Sequence, residues 1–325
     1  MTSLSKAEKA YIQSSLLSDP PLRQDGRGPE DFRLIALETG VAPLANGSAK
    51  VCIGRSGSNR GGDTEGASGA AGSTEVVAAV KLEVDGVGEQ EEGGKVVCTV
   101  SCSPAAYPSM SSPALDDLQS DLSTLLGSVL SHPSLRPPNL VILPGKKAWV
   151  ARLDAIVFAD GGNVVDCLMF ACRAALWDTK VPRTRGVEYR APERNGVKKE
   201  RDPEKMDVDD QRAGGVDSGL LETRDVNRVT DFELTDYWDE GEPLDGRNAW
   251  PVCVTLNLLP SMYFLDATLQ EETSVPLRMH FMHAFPGGKP VLQTCRLVGG
   301  GTATVEQIKG LMKVSQSTQA KSGLA

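Results

Sequence analysis

Leu115, Leu118, Leu122, Leu125, Leu126, Val129 and Leu130 recur at three- and four-residue spacing. Such a stripe covers one side of a 3.6-residue turn, so residues 113–131 are expected to form a helix with one face buried. A second stripe, Val165, Leu168, Met169, Cys172, Ala175 and Leu176, predicts a helix over 163–179. Strand-like segments precede both: 32–41, 49–53, 74–84 and 95–102 before the first, 140–143 and 148–158 before the second. Strands followed by a helix, twice over, demand an α+β layered arrangement with the helices on one sheet face. The last third repeats the plan. Strands are expected over 251–259, 263–266, 277–285 and 290–297, then a helix over 304–319. Its start carries the capping box Thr304…Gln307, and Val305, Ile308, Leu311 and Met312 form its apolar side. Two similar halves follow, although no residue-level repeat is visible. A short helix is expected over 5–18, capped by Ser5 with Glu8 and ended by Asp19-Pro20-Pro21.

Two stretches resist this pattern. Residues 55–73 are rich in Gly and Ser, and 190–230 are charged and poor in apolar periodicity. Neither can bury enough apolar surface to order itself. Charge is unevenly placed around the second. Residues 180–201 hold eight Lys/Arg against three Glu, and 202–250 hold five Lys/Arg against fifteen Asp/Glu. The net charge of −9 is therefore concentrated locally and does not exclude a basic RNA-facing surface elsewhere. No apolar run is long enough to cross a bilayer, and residues 1–9 lack the apolar core of a secretory signal, so an intracellular protein is expected. The seven cysteines lie inside apolar stretches with no Cys-x-x-Cys spacing, which fits buried reduced thiols.

The chemistry-bearing motifs are few. Asn46-Gly47 reads as a hairpin turn. Arg23-Gln24-Asp25-Gly26-Arg27 is a turn whose two arginines can pair with carboxylates of a neighbouring element or touch phosphate. Pro144-Gly145-Lys146-Lys147 is a basic turn that, facing RNA, would add salt-dependent phosphate contacts. Asp160-Gly161-Gly162 opens the second long helix in an anion-site geometry, but no Arg, Lys, Ser or Thr stands at 161–166 to complete a phosphate cradle. Asp266, Glu271 and Glu272 form the one acidic group of catalytic interest. Paired carboxylates can hold Mg²⁺, but a solvated turn between strands is the better reading. His280 and His283 lie three apart in a strand, on opposite faces, so no metal site is expected there. The glycine runs at 57–62 and 299–301 lack the Lys-Ser/Thr of a nucleotide loop.

Together these stretches resemble the RNase PH family. The resemblance is carried by Leu4-Ser5 with Ala7-Glu8-Lys9 and Tyr11-Ile12, by Pro20-Pro21-Leu22-Arg23 with Asp25-Gly26-Arg27 and Phe32-Arg33, and by Asn46-Gly47-Ser48-Ala49. It continues through Leu143-Pro144-Gly145-Lys146-Lys147-Ala148-Trp149, Asp160-Gly161-Gly162-Asn163-Val164-Val165-Asp166, Pro251-Val252 with Val254-Thr255, Asp266-Ala267-Thr268-Leu269 with Glu271-Glu272, and Val298-Gly299-Gly300-Gly301. It spans the chain except the two stretches above, and within the family it is most similar to ring subunits of the eukaryotic RNA exosome.

That resemblance implies one RNase PH-like domain over 1–325, made of two βαβα halves packed like a duplicated ribosomal-protein domain. It implies assembly with other RNase PH-like ring subunits and with cap subunits, RNA passing through a central pore, and residence in nucleus, nucleolus and cytoplasm. Active relatives hold phosphate with an arginine at the start of the helix after the Asp-Gly-Gly segment; here Asn163, Val164 and Val165 stand there. They also use an acid downstream of the Asp…Glu-Glu segment; here Thr273-Ser274-Val275-Pro276-Leu277 supplies none. Losing one charge-stabilising donor costs about 10²–10³ in rate. The expectation is a non-catalytic subunit with no catalytic residue, no metal and no cofactor. Arg23, Arg27, Lys146 and Lys147 are its candidate RNA contacts. Two alternatives are an active phosphorolytic 3'-to-5' exoribonuclease, which needs the missing arginine, and a stand-alone RNA-binding protein, which needs an exposed aromatic platform.

Overall fold

A computed structural model describes residues 4–54, 72–87, 93–187, 231–235, 240–302 and 304–322. The segment 190–230 and nearly all of 55–73 lie outside the described residues. Helix α1 runs Lys6–Leu16. Ser5 caps it: its hydroxyl accepts from the Glu8 N–H, and the Glu8 carboxylate accepts from the Ser5 N–H at 2.7 Å.

The first sheet holds β1 (Ile35–Thr39), β2 (Gly47–Ile53), β3 (Thr74–Gly86), β4 (Lys95–Cys102), β5 (Val141–Leu143) and β6 (Lys147–Ala159). Its order is β1-β2-β3-β6-β4, with β5 also on β6. Every pairing is antiparallel except β4 with β6. Period-two alternation in β3 sends Val76, Ala78 and Val80 inward and leaves Glu75, Val77 and Ala79 half-exposed. Helix α2 (Ser112–Leu130) lays Leu122, Leu125, Leu126 and Val129 into this core beside β4.

Helix α3 (Val164–Asp178) is buried nearly all round. Cys167, Leu168, Met169, Cys172, Ala175 and Leu176 share one core with β2 and β3 and also with Val252, Cys253 and Met282 of the second sheet. The expectation of helices on one sheet face therefore holds only in part, because α3 lies between two sheets. The second sheet is fully antiparallel, in the order β12 (Tyr263–Leu265), β11 (Val252–Leu258), β13 (Arg278–Ala284) and β14 (Val291–Val298). Its other face packs Val254, Leu256 and Phe281 against Ile308, Leu311 and Met312 of α5 (Val305–Ser322). β11 is buried on both faces from Val252 to Asn257, and its two polar residues find partners inside, Thr255 in Asp166 and Asn257 in Phe264 O. Two short ribbons complete the order: β7 (Lys180–Val181) with β10 (Glu242–Pro243), and β8 (Thr184–Val187) with β9 (Asp231–Leu234).

Asn46-Gly47 is not a two-residue hairpin turn. The chain turns at Pro43–Leu44, where Ala45 N–H donates to Ala42 O at 3.1 Å, and β2 already begins at Gly47. Asn46 is instead an anchor. Its N–H donates to Val80 O at 2.9 Å, its side-chain oxygen accepts from Leu82 N–H at 3.0 Å, and its carbonyl accepts from Lys180 N–H at 2.9 Å. A Cβ at Gly47 would meet the Thr179 backbone at 2.5 Å, so close approach to the end of α3 is what requires glycine there.

Candidate functional site

The acidic segment after β12 is buried, not solvated. Asp266 has no accessible surface and a φ of +44°, and Thr268 caps helix α4 (Leu269–Ser274) in a capping box with Glu271. Three arginines from the N-terminal segment converge on it. Arg23 grips Glu271 with two bonds, Nε to Oε1 at 2.9 Å and Nη2 to Oε2 at 2.7 Å. Its remaining donors go to Leu265 O at 3.0 Å, Asp266 O at 2.8 Å and Gly28 O at 3.4 Å. Arg27 donates to Asp25 Oδ2 at 2.7 Å and Asp266 Oδ2 at 2.9 Å. Arg33 holds both Asp266 oxygens, Nε to Oδ2 at 2.9 Å and Nη2 to Oδ1 at 2.7 Å, and reaches the carbonyls of Gly161 and Gly162 at 3.0 Å each. Burial alone would raise the Asp266 carboxyl, but the Arg33 hydrogen bonds and charge outweigh it and hold the group below its ordinary value. One carboxylate thus ties the N-terminal segment, the turn before α3 and the second half of the chain together.

Two of the four candidate RNA contacts, Arg23 and Arg27, are engaged in these bonds. The Arg23 side chain is 0% exposed with its donors spent, and Arg27 is 14% exposed and paired twice. Both follow the other reading of their motif, pairing with carboxylates of a neighbouring element. Lys146 is exposed on the turn between β5 and β6. Lys147, beside it, donates to Asp231 Oδ1 at 2.8 Å and lies over the Phe232 ring at 5.3 Å. The four basic residues therefore form two separate pairs rather than one surface.

Beside the arginine cluster, a cleft of about 440 Å³ opens between α2, the first turn of α3, and β13–β14. Its polar lining is Asp121, Asp160, Glu272, Arg278, His280 and Arg296. Both arginines are paired, Arg278 with Glu272 at 2.6 Å and Arg296 with Asp121 at 2.7 Å, which leaves Asp160 as the one carboxylate of this lining without an arginine. The backbone donors of the turn are also taken. Gly161 N–H goes to Thr74 Oγ1 at 3.1 Å, Gly162 N–H to Asp160 Oδ1 at 2.9 Å, and Asn163 N–H to Glu272 Oε1 at 2.8 Å. Asn163 adopts the left-handed conformation, φ +61°, and donates from its side chain to Asp266 Oδ1 at 3.1 Å. An incoming anion would have to displace carboxylates already seated there. Burial raises the Glu272 carboxyl, opposed by Arg278 and the Asn163 N–H. His280 Nδ1 is hydrogen-bonded to Thr255 Oγ1 at 2.9 Å, and burial pushes its imidazole down to about 3. Among the described residues, no three His, Cys, Asp or Glu side chains converge as a metal site requires.

Residues 31–182 match the 3' exoribonuclease family, domain 1. Those residues carry an RNase PH domain. A protein of Dictyostelium discoideum named as the exosome complex exonuclease RRP42 is 24% identical over 97% of this chain and 94% of its own length. The exosome complex component Rrp42 of Thermoplasma volcanium is 31% identical over 58% of this chain and 66% of its own length. Among solved structures, a chain of an Archaeoglobus fulgidus exosome with RNA bound to the active site superposes with a TM-score of 0.64 at 20% identity, over 97% of this chain and 96% of that one. A chain of an archaeal exosome core gives 0.62 at 19% identity, over 97% and 94%. At those identities the superpositions establish the RNase PH fold. The two-sheet architecture, with α3 between the halves, is that fold.

The inward direction of Arg23, Arg27 and Arg33 was the signal that sequence reasoning left open. Its partners lie more than 230 positions away. The clue available was the coexistence of an Arg-rich turn and an acidic triplet, in which Arg23, Arg33, Asp266 and Glu271 find their partners only across the chain.

Proposed function

We propose that the chain is a non-catalytic subunit of the RNA exosome core ring, supporting 3'-to-5' RNA processing and decay by building the ring and guiding RNA through it. Its partners are other RNase PH-like ring subunits, cap subunits and RNA, in nucleus, nucleolus and cytoplasm. The names of its relatives support the assembly. One observation supports the silence: the Asn163 N–H, at the helix start where phosphate would need a cationic anchor, already donates to Glu272, and Glu272 is itself paired with Arg278. Rate acceleration in phosphoryl transfer depends on charge stabilisation of that kind. In this reading Lys146 and Lys147 make the RNA contacts, and Arg23 and Arg27 fasten the fold.

Co-expression with RNase PH-like ring and cap subunits, followed by native mass spectrometry, tests the assembly. A single hetero-oligomer containing this chain is expected, and a monomer or homo-oligomer would overturn the reading. Incubating the purified chain with labelled RNA and inorganic phosphate tests the silence, with no nucleoside diphosphate expected. Lys146→Glu in the assembled ring should weaken RNA protection and lower the salt slope by about one phosphate contact.

A further inference from the structure

Among the described residues, most arginines are matched to carboxylates: Arg23, Arg27, Arg33, Arg152, Arg183, Arg278 and Arg296 all are. Arg173 and Arg247 break that pattern. Arg173 lies half-buried on α3 with its guanidinium 5.2 Å from the centre of the Phe285 ring. Its Nη1 is buried and has no hydrogen-bond partner among the described residues. Burial lowers its pKa with no acidic group opposing the shift. One turn further along α3, Trp177 is 41% exposed and carries the Arg247 guanidinium 4.4 Å above its ring. The two arginines belong to one corner of the molecule, because the Phe285 N–H donates to Ala249 O at 3.2 Å, two residues from Arg247.

A desolvated cation held on an aromatic face, without an anion, is costly by itself and favourable once an anion is sealed against it. We propose that this corner is a subunit-docking site that receives an Asp or Glu side chain of a neighbouring RNase PH-like ring subunit. The inference rests on the ring reading above and names a place and a chemistry for the contact. Two features favour a protein carboxylate over an RNA phosphate. Arg247 already covers one face of Trp177, and Phe285 is buried, so no platform for successive bases exists here. Trp and Arg at a partly desolvated corner are also the composition of interface hot spots.

The test uses the full chain co-assembled with the other ring subunits. Arg173→Lys and Arg247→Lys keep the charge and supply an amine. Zero-length carbodiimide coupling then joins that amine to an adjacent carboxylate as an amide, with loss of water, and peptide mass spectrometry identifies the partner residue. Cross-links to an Asp or Glu of another ring subunit are expected. The double variant Arg173→Gln/Arg247→Gln, checked for native circular dichroism, should bind its neighbour about tenfold or more weakly. Cross-links confined to this chain, or unchanged assembly of the double variant, would overturn the proposal while leaving the ring reading intact. Loss of RNA protection with assembly unchanged would also overturn it, in favour of phosphate. Failure of the unmodified chain to assemble would overturn both.

Discussion

Asp266→Asn is the most informative single change in this molecule. The substitution keeps the shape and one acceptor oxygen but removes the charge that Arg27 and Arg33 share. The carboxylate accepts from Arg27 Nη1, from Arg33 N, Nε and Nη2, and from Asn163 Nδ2, at 2.7 to 3.1 Å. The Arg33 side chain is 8% exposed, so its guanidinium cannot turn to water for compensation. Breaking a buried pair by removing one partner costs about 3–5 kcal/mol. For a chain of this size that corresponds to a fall in Tm on the order of 10 °C. Urea and thermal unfolding followed by far-UV circular dichroism measure it. Asp121→Asn, which breaks the exposed pair with Arg296, is the matched comparison and should cost less than about 1 kcal/mol. Equal, small losses in the two variants would refute the view that Asp266 fastens the halves together.

Gly162→Ala should destabilise by at least about 2 kcal/mol in the same unfolding assay, since its φ is +96° and a Cβ would lie 2.5 Å from Ala267 O. At pH 8, N-ethylmaleimide should label one thiol, Cys295, in the native chain and all seven after denaturation, counted by intact mass. The other six are buried or nearly so, and burial pushes Cys98 up to about 12 and Cys102 up to about 11. Acid sensitivity should trace in part to His280, with His283, pushed down to about 4 by burial, adding to it in the unmodified chain and the His280→Gln variant alike. The folded-state pKa of His280, about 3, lies below the unfolded value, so the unfolded chain takes up protons first and stability falls as pH drops below about 6.5. Between pH 6.5 and 5, His280→Gln should lose about 1.5 kcal/mol less stability than the unmodified chain. Asp166, raised to about 6 by burial, works in the opposite direction and is common to both proteins.

Periodicity made the long elements legible. Leu122, Leu125, Leu126 and Val129 point where a 3.6-residue repeat places them, and the Ser5–Glu8 capping box forms as its spacing implies. Local pattern says nothing about partners remote in the chain, and there the reading failed or stayed open. Asp266, Glu271 and Glu272 look solvated until three arginines arrive from the other end of the sequence. Asn46-Gly47 has the composition of a tight turn, but its glycine answers to Thr179, 132 positions later. The absent arginine at 163–165 was readable, whereas the carboxylate that fills the same place was not, because only the fold brings Glu272 to Asn163.

The ribbon of β8 and β9 has a further consequence. It sets Val187 opposite Asp231, so these two positions, 44 apart in the chain, lie side by side. The free energy of closing such a span varies only logarithmically with its length, about 0.6 kcal/mol for a doubling. The length of a flexible connection between two such fixed ends is therefore a weak term in stability. The same gateway would accept a folded reporter domain spliced into the chain, with its ends stapled by the ribbon and the two sheets left undisturbed.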